Sequence, residues 1–457
     1  MSYTLRVTGY NYCSSSFLRL SFFLFLFVFS LFSVFGQQPM SLETCMRYAV
    51  ENSYKTARAA TELDNYKKEY TGAMLAHLPD ISGSIGASSN FGRGIDPATN
   101  TYDVNTTSFN NSVGLNVWMP VFSGLRYLNQ TRSAKIAKLR GEEQLRQTRD
   151  QVAEETMLAY AEVVYNTELL SLYQKRIENY QMEEKRMARL LELGAGSFAD
   201  LAQIRATLAS EEYTAIAAKN NLEISIVKLK DCMNFPLEEA LLIVPQIEEV
   251  ELYLEMQTSN DIIAYAFNTH PTAIIGQRNL ELQKRTLSMT KGAYYPSISF
   301  SGGVSSGYYT STSYKTDPFF AQYNNNLGEW IGVSVSVPIF SGLDVRLRVS
   351  KVKNNLKQAQ RDYDETLRTL SSEIKQAMME LDASNSQWVQ AQKNVEHQHI
   401  ANQANKRRYE DGTLSIIELQ TSDNQLFLSE IELQNAYLLH QIKLREINYY
   451  KGIPYVN

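Results

Sequence analysis

Four segments of the chain alternate apolar residues with small or polar ones. This period of two residues is typical of β-strands that carry one apolar face. The predicted strands are 80–90, 110–120, 297–306 and 329–338. Small polar residues recur on the opposite face: Ser82, Ser84, Asn116, Ser299, Ser334 and Ser336.

Long stretches without helix-breaking residues follow the second strand of each pair. Residues 125–193 contain one glycine and no proline, and residues 343–411 contain neither. At 1.5 Å per residue, each predicted helix is a rod of about 100 Å. Apolar residues between Val152 and Tyr180 recur at alternating spacings of four and three, which indicates a coiled-coil seam. Shorter helices are predicted at 41–75, 198–231, 259–292 and 415–450.

The two halves of the chain are copies of one unit. Val113–Leu125 recurs as Ile331–Leu343 at an offset of 218 residues, and upstream of these segments the offset is 217. In both copies the second strand ends in Pro-x-Phe-Ser-Gly, which predicts a turn from strand to helix. The residues of these two turns are Pro120, Gly124, Pro338 and Gly342. A repeat of this length sets the domain organisation.

The N-terminus predicts export. Leu20–Phe35 is an apolar run that follows Arg6 and Arg19 and ends at a small residue, as in a secretory signal peptide. We place cleavage after Gly36. A short membrane anchor is the alternative, although spanning a membrane takes about 20 apolar residues. The predicted organisation is a signal peptide at 1–36, repeat 1 at 37–236, an equatorial linker at 237–258 and repeat 2 at 259–457.

Composition and charge exclude several classes of protein. The chain of 457 residues has 44 Lys and Arg against 49 Asp and Glu, a formal net charge of −5. Without a basic field, nucleic acid is not an expected partner. After removal of the leader only Cys45 and Cys232 remain, which is too few for a disulfide framework.

No motif indicates an enzyme, a cofactor or a metal site. The sequence has no phosphate-binding loop. His397 and His399 are two residues apart, so on a helix they face different sides and make a poor metal pair. Gly303–Gly307 has the spacing of a nucleophile elbow, but a Tyr- and Ser-rich segment follows where that motif requires a helix. An enzymatic activity would have to depend on Ser305, and we expect none.

The strands fit two environments. One is a soluble sheet with one buried face. The other is a membrane β-barrel, in which segments of about ten alternating residues are flanked by aromatic girdles. The aromatic residues near the strand ends are the girdle candidates: Trp118, Trp330, Tyr308, Tyr309, Phe319 and Phe320. Four strands cannot close a barrel, and an open edge in lipid leaves backbone groups unpaired, so the membrane interpretation requires several copies of the chain.

The duplicated unit, together with two matching turns, resembles the TolC-type outer-membrane efflux protein family. The turns read Gly194-Ala-Gly-Ser-Phe-Ala-Asp-Leu201 and Gly412-Thr-Leu-Ser-Ile-Ile-Glu-Leu419. The resemblance covers 41–455 and implies an α+β membrane protein with a two-fold internal repeat. It implies four transmembrane strands per chain, a twelve-stranded barrel in a homotrimer and a long periplasmic barrel of coiled-coil helices.

The function that this resemblance implies is a passive exit duct in the outer membrane of a Gram-negative cell. The duct would serve a tripartite efflux pump or a type I secretion system. Its partners would be outer-membrane lipid, a periplasmic adaptor and an inner-membrane pump. The competing hypothesis is an exported coiled-coil scaffold or adhesin without a pore, which salt or urea would release from membranes.

The resemblance also implies that the two turns are periplasmic tips, where the pore closes and an adaptor docks. Their glycines suit left-handed helix ends and their serines suit the next N-cap. The docking residues would be Gly194, Ser197, Leu201, Gly412, Ser415 and Leu419.

For the gate itself, the family pattern implies polar contacts between neighbouring tips. We expect a hydrogen bond between Asp200 and Tyr409, and Glu418 matches an acidic ring position. The chain departs from the pattern at Thr421, where a second acid is expected, and at Leu414, where a basic residue is expected. Plain solvated helix ends are the alternative for each of these residues.

Overall fold

The structure is a computed structural model that describes residues 39–96, 99–247, 258–313 and 315–456. The predicted signal peptide, 1–36, lies outside these ranges, as does the part of the predicted linker from 248 to 257.

Two rods dominate the helical part of the chain. Each rod is followed by a shorter helix that packs back along it. The rods are 67 residues each, close to the predicted lengths. The helices are α1 (Leu42–Asn52), α2 (Tyr54–Leu75), α3 (Arg126–Glu192), α4 (Phe198–Met233), α5 (Ser259–Thr269), α6 (Pro271–Lys291), α7 (Phe319–Asn325), α8 (Asp344–Glu410) and α9 (Ile416–Tyr450). The rod α3 packs along α4, the rod α8 packs along α9, and α6 lies between the two rods.

The single helices predicted at 41–75 and 259–292 are each broken in two. Ser53 separates α1 from α2 and caps α2, because its hydroxyl accepts a hydrogen bond from the Lys55 backbone at 3.2 Å. His270 separates α5 from α6 in an extended conformation. It precedes Pro271, and the residue before a proline is disfavoured in a helix. None of the helices within the described ranges is long and apolar enough to cross a membrane.

The described strands form one antiparallel sheet in the order β1-β2-β3-β4. They are β1 (Asp80–Asp96), β2 (Thr101–Ser123), β3 (Ser297–Ser311) and β4 (Gly328–Ser336). Three of them extend beyond the predicted strands, into the segments 91–109 and 307–328 that lie between the predicted strands of each pair. The first of these segments is mostly a two-stranded ribbon, paired as far as Asp96 and Thr101. The second holds the end of β3 and the helix α7. The strand β4 stops before Pro338, which has no N–H to donate.

The register of the sheet separates an apolar face from a face of small residues. Leu115 stands opposite Gly83 and Val304, whereas Asn116 stands opposite Ser82 and Gly303. All six small polar residues named from the sequence share the face of Asn116.

The register places Trp118 and Trp330, two of the predicted girdle residues, on the small-residue face and not on the apolar face. Trp118 stands opposite Ser301, and Trp330 stands opposite Gly303. A side chain at 303 would meet the Trp330 ring nitrogen, since a Cβ there would lie 2.8 Å from it. The glycine therefore provides the space that this indole occupies.

Each strand-to-helix turn is built from two successive residues in the left-handed conformation. Their φ angles are +60° and +62° at Gly124 and Leu125, and +60° and +67° at Gly342 and Leu343. A Cβ at Gly124 would collide with the Gly292 carbonyl oxygen, so the backbones pack at a distance that only glycine permits.

The main core lies around the middle of the first rod. Tyr160 and Met157 of α3 are fully buried against Cys45 of α1 and against Leu229 and Met233 of α4. This cluster joins helices from both ends of repeat 1 and receives Leu438 of α9 from repeat 2. It joins the first rod to α9, the helix that follows the second rod, far from the tips.

Candidate gate at the helical tips

The two rods reverse direction at tips of the same construction. Gly194 and Gly412 have φ angles of +76° and +73°. Ala195 N donates to Leu190 O at 2.9 Å, and one residue after Gly412 the equivalent bond from Thr413 is 2.8 Å. These bonds close left-handed helix ends of the Schellman type, as the sequence predicts.

Serine caps the helix that leaves each tip. The Ser197 hydroxyl accepts from the Asp200 backbone at 3.3 Å, and the Ser415 hydroxyl accepts from the Glu418 backbone at 3.3 Å. At the second tip the Glu418 carboxylate also accepts from the Ser415 backbone N–H at 3.0 Å, which completes a capping box. Both predicted N-caps are confirmed.

The capping box determines the electrostatics of the candidate acidic ring. The backbone N–H and the hydroxyl of Ser415 hold the pKa of Glu418 below its ordinary value. The side chain of Glu418 is exposed. One carboxylate therefore both caps its own helix and presents a negative charge at the tip.

Apolar side chains from both hairpins meet directly behind the turns. We call this group the tip cluster. Leu414 and Tyr409 pack against it as partly buried residues. Its buried members come from three helices and are Met187 of α3, Leu201 and Ile204 of α4, and Ile416 and Leu419 of α9.

The tip cluster corrects the predicted docking role of two leucines. Leu201 is 5% exposed and Leu419 is 7% exposed, so their side chains hold the hairpins together and are not available to an adaptor. Gly194, Ser197, Gly412 and Ser415 remain at the surface. Sequence reasoning missed Phe198 and Ile417, which are 74% and 64% exposed beside the caps. The signal in the sequence that could have identified them is an apolar residue one or two positions after each cap serine.

Tyr409 is half-buried between the hairpins. Burial, followed by the charges of Glu183 and Asp200, raises its pKa to about 12. Its hydroxyl lies near Glu183, but it has no partner with hydrogen-bond geometry among the described residues. The hydrogen bond expected between Asp200 and Tyr409 is therefore not formed within this chain. The protonated hydroxyl remains a donor without an acceptor.

The two departures from the family pattern lie on either side of Glu418. The Thr421 hydroxyl donates to the Ile417 carbonyl oxygen at 2.8 Å, so it satisfies its own helix. Leu414 lies against the tip cluster and carries no charge.

A polar contact joins the hairpins further from the tips, and the sequence did not reveal it. Arg176 of α3 pairs with Glu211 of α4 at 2.7 Å, with side chains only 13% and 12% exposed. The guanidinium also donates to Asn424 of α9 at 3.3 Å and lies over the Phe427 ring at 4.4 Å from its centre. These four residues form what we call the Arg176 link. An arginine beside the apolar seam of α3 was the only sequence signal.

The remaining sequence candidates for chemistry are not assembled into a site. Ser305 lies inside the continuous strand β3 and not at a strand-to-helix turn. Among the described residues, no group of three or more His, Cys, Asp and Glu side chains is placed to hold a metal ion.

Comparison with known proteins agrees with this architecture. The family model for outer membrane efflux protein matches residues 47–234 and 279–448. The outer membrane efflux protein BepC of Brucella suis is 23% identical over 364 residues, which cover 80% of this chain and 75% of BepC. The outer membrane protein TolC of Escherichia coli is 21% identical over 304 residues, which cover 64% of this chain and 59% of TolC.

The fold also matches a solved structure. The crystal structure of the CmeC outer membrane channel of Campylobacter jejuni gives a TM-score of 0.77 at 18% identity. The match covers 90% of this chain and 85% of CmeC. Since the family model spans most of both repeats, the chain belongs to the outer membrane efflux protein family, and its place is the outer membrane.

Proposed function

We propose that three copies of this chain form a channel in the outer membrane that serves as the passive exit duct of a tripartite efflux pump or a type I secretion system. The observation that carries the proposal is the two-faced sheet. One face is apolar and suits lipid, and the other is rich in Ser, Gly and Asn, with Trp118 and Trp330 among them, and suits a water-filled duct. The rods extend this duct into the periplasm.

The open edges of the sheet support an assembly. Within the described residues the outer edges of β1 and β4 have no strand beside them. In lipid each unpaired backbone group would cost several kcal/mol, so the edges must pair with other copies. Three chains would contribute twelve strands, in agreement with the two-fold internal repeat.

A glycine contact between the two repeats supports the same arrangement. Gly124 packs against Gly292 within the chain, but Gly342, which corresponds to Gly124, has no described atom near the position of a Cβ. At the upstream offset of 217 residues, Gly292 corresponds to Leu75, which precedes β1. We infer that Gly342 packs against the backbone near Leu75 of a neighbouring copy.

We propose that the duct opens when the two hairpins of each chain separate at the tips. The tip cluster and the Arg176 link are the contacts that such a motion would have to loosen. Tyr409 would donate to an acceptor on the neighbouring copy in the closed state. An adaptor would contact the exposed surface of the tips, including Phe198 and Ile417.

Two measurements test this function. Detergent-extracted protein should have the mass of a trimer, and it should conduct ions when inserted into a planar bilayer. A monomer or dimer that salt or urea releases from membranes would contradict the channel. That outcome would favour the coiled-coil scaffold.

A further inference from the structure

The short helix α7 covers a stretch of sheet edge that β4 leaves open. The strand β4 pairs with β3 only as far as Ser305, which stands opposite Gly328. Beyond this point the Gln322 side chain accepts from the Tyr309 backbone N–H at 2.9 Å and donates to the Tyr309 carbonyl oxygen at 2.8 Å. Asn326 donates to the Gly307 carbonyl oxygen at 2.7 Å. Side-chain amides thus satisfy backbone groups that a longer β4 would have paired.

The helix lies on the apolar face of the sheet. Tyr323 donates to the side-chain oxygen of Asn111, and the Phe319 ring lies 5.0 Å from the Tyr308 ring. Asn111 and Tyr308 stand opposite each other in the register and share the face of Leu115. Because α7 packs on this face, it lies outside the proposed duct and not across its mouth.

The position of α7 along the sheet coincides with the expected upper boundary of a membrane. On β3 the apolar face begins at Ile298 and reaches Tyr308 ten residues later. At about 3.3 Å per residue and a tilt of about 40°, this is a height of about 25 Å, the thickness of the apolar band of outer-membrane barrels. The aromatic residues gathered at this level are Phe109, Tyr308, Phe319, Phe320 and Tyr323.

One member of this aromatic group points away from the sheet. Phe320 is 80% exposed, while Gln322 and Tyr323 make the contacts that hold the helix on the sheet. Tyr and Trp side chains prefer the interface between hydrocarbon and water, and Phe occurs on the lipid-buried face of helices that lie there. If lipid surrounds this ring, no partner protein is needed to cover it.

We propose that α7 is an interfacial anchor that inserts Phe320 into the outer leaflet of the membrane, at the boundary between the acyl chains and the headgroups. Gln322 and Asn326 hold the helix at that height, and the anchor fixes the depth at which the sheet sits. This inference rests on the proposed membrane insertion of the sheet. In this proposal the Phe320 ring is covered by lipid and not by a protein or a second copy of the chain.

Fluorescent labels at three positions test the anchor and the membrane insertion separately. Leu115→Cys places a label at the middle of the apolar face, Phe320→Cys places one on α7, and Tyr102→Cys places one near the end of the β1–β2 ribbon. The background is Cys232→Ser, because Cys45 is fully buried and will not react. The labelled full chains are reconstituted into vesicles that contain lipids with a nitroxide at mid-chain or near the headgroup.

The three labels should give three different patterns of quenching. We expect strong mid-chain quenching at 115, strong quenching at 320 by the headgroup-proximal nitroxide, and quenching at 102 only by a water-soluble agent. If the label at 115 is quenched from within the lipid and the label at 320 is quenched only from water, like the label at 102, the anchor is wrong and the channel stands. If the label at 115 is also quenched only from water, the sheet is not in the membrane and the proposed function fails.

A matched pair of variants tests the amide contacts of α7. In the Phe320→Cys background, Gln322→Glu puts a carboxylate against the carbonyl oxygens of Tyr309 and Asp317. Asn324→Asp introduces the same charge at an exposed position of the same helix. We expect the first change to abolish most of the lipid quenching at 320 and the second to preserve it. Equal quenching in both variants would overturn the positioning role of Gln322.

Discussion

Arg176 and Glu211 form a salt bridge of 2.7 Å in which neither side chain is more than 13% exposed. The same guanidinium reaches Asn424 and Phe427 on the other hairpin, so one side chain joins three helices. An ion pair of this kind contributes little when intact, but removal of one partner leaves the other charge buried and unpaired.

We therefore predict that Arg176→Met lowers the free energy of unfolding by about 3 kcal/mol. The double variant Arg176→Met, Glu211→Leu should recover most of this loss, because it removes the unpaired carboxylate as well. Thermal unfolding in detergent, followed by circular dichroism, measures both effects.

The control for this prediction is an exposed ion pair on the same rod. Arg189 and Glu192 are 2.7 Å apart with side chains 71% and 65% exposed. Arg189→Met should change stability by less than about 0.5 kcal/mol, since exposed pairs are well solvated. A double variant as unstable as Arg176→Met alone would show that the charge of Glu211 is not the cause.

The gate prediction concerns Tyr409 and Asp200. If the unpartnered Tyr409 hydroxyl and the Asp200 carboxylate hold neighbouring tips together in the trimer, Tyr409→Phe with Asp200→Ala should raise single-channel conductance in planar bilayers. Tyr213→Phe is the matched control, because Tyr213 is 76% exposed on the middle of α4. A double variant with unchanged conductance would remove both residues from the gate.

Stability should depend on pH through His270. Burial lowers the pKa of His270 from 6.5 to about 4, and its ring packs against those of Tyr449 and Tyr450. Between pH 4 and 6.5 the unfolded chain binds more protons at this residue than the folded chain does. The free energy of unfolding therefore falls on acidification through this window, by at most about 3 kcal/mol.

Comparison of two histidine variants isolates this effect. His270→Phe should flatten the pH dependence of the thermal midpoint between pH 6.5 and 4. His397→Phe, at an exposed position on α8, should leave it as it is. An identical slope in the His270 variant would assign the acid sensitivity to other groups.

The sequence was sufficient to predict those features of the fold that depend on local sequence pattern. The rods, the glycine ends and the serine caps follow from the absence of helix breakers and from short-range backbone chemistry. The upper half of the β1–β2 ribbon was missed because its Ser, Thr and Asn residues carry no apolar alternation, and cross-strand pairing alone keeps it extended.

Features that depend on contacts between distant segments were not accessible from the sequence. The face on which Trp330 lies follows from register and from the space at Gly303, not from its position near a strand end. The burial of Leu201 and Leu419 requires both hairpins to meet, as does the Arg176 link. The helix α7 depends on backbone groups of β3 that are free only because β4 is short.

The internal repeat also predicts how neighbouring copies pair. Leu115 of β2 stands opposite Val304 of β3 within the chain. The repeat offsets of 218 and 217 transfer this pair to Val333 of β4 and Ala87 of β1 on a neighbouring copy. Both residues lie on the apolar face, as closure of the sheet into a barrel requires.

Disulfide cross-linking of Val333→Cys with Ala87→Cys is the most direct test of the proposed trimer, in which β4 of one copy pairs with β1 of the next and closes the barrel. Cysteines at directly opposed positions are close enough to bond, whereas a shift of one residue moves a side chain to the other face. Val333→Cys with Ser88→Cys is therefore the control. We predict that oxidation in intact membranes gives a covalent trimer for the first pair and monomers for the control. Monomers for both pairs would contradict the account.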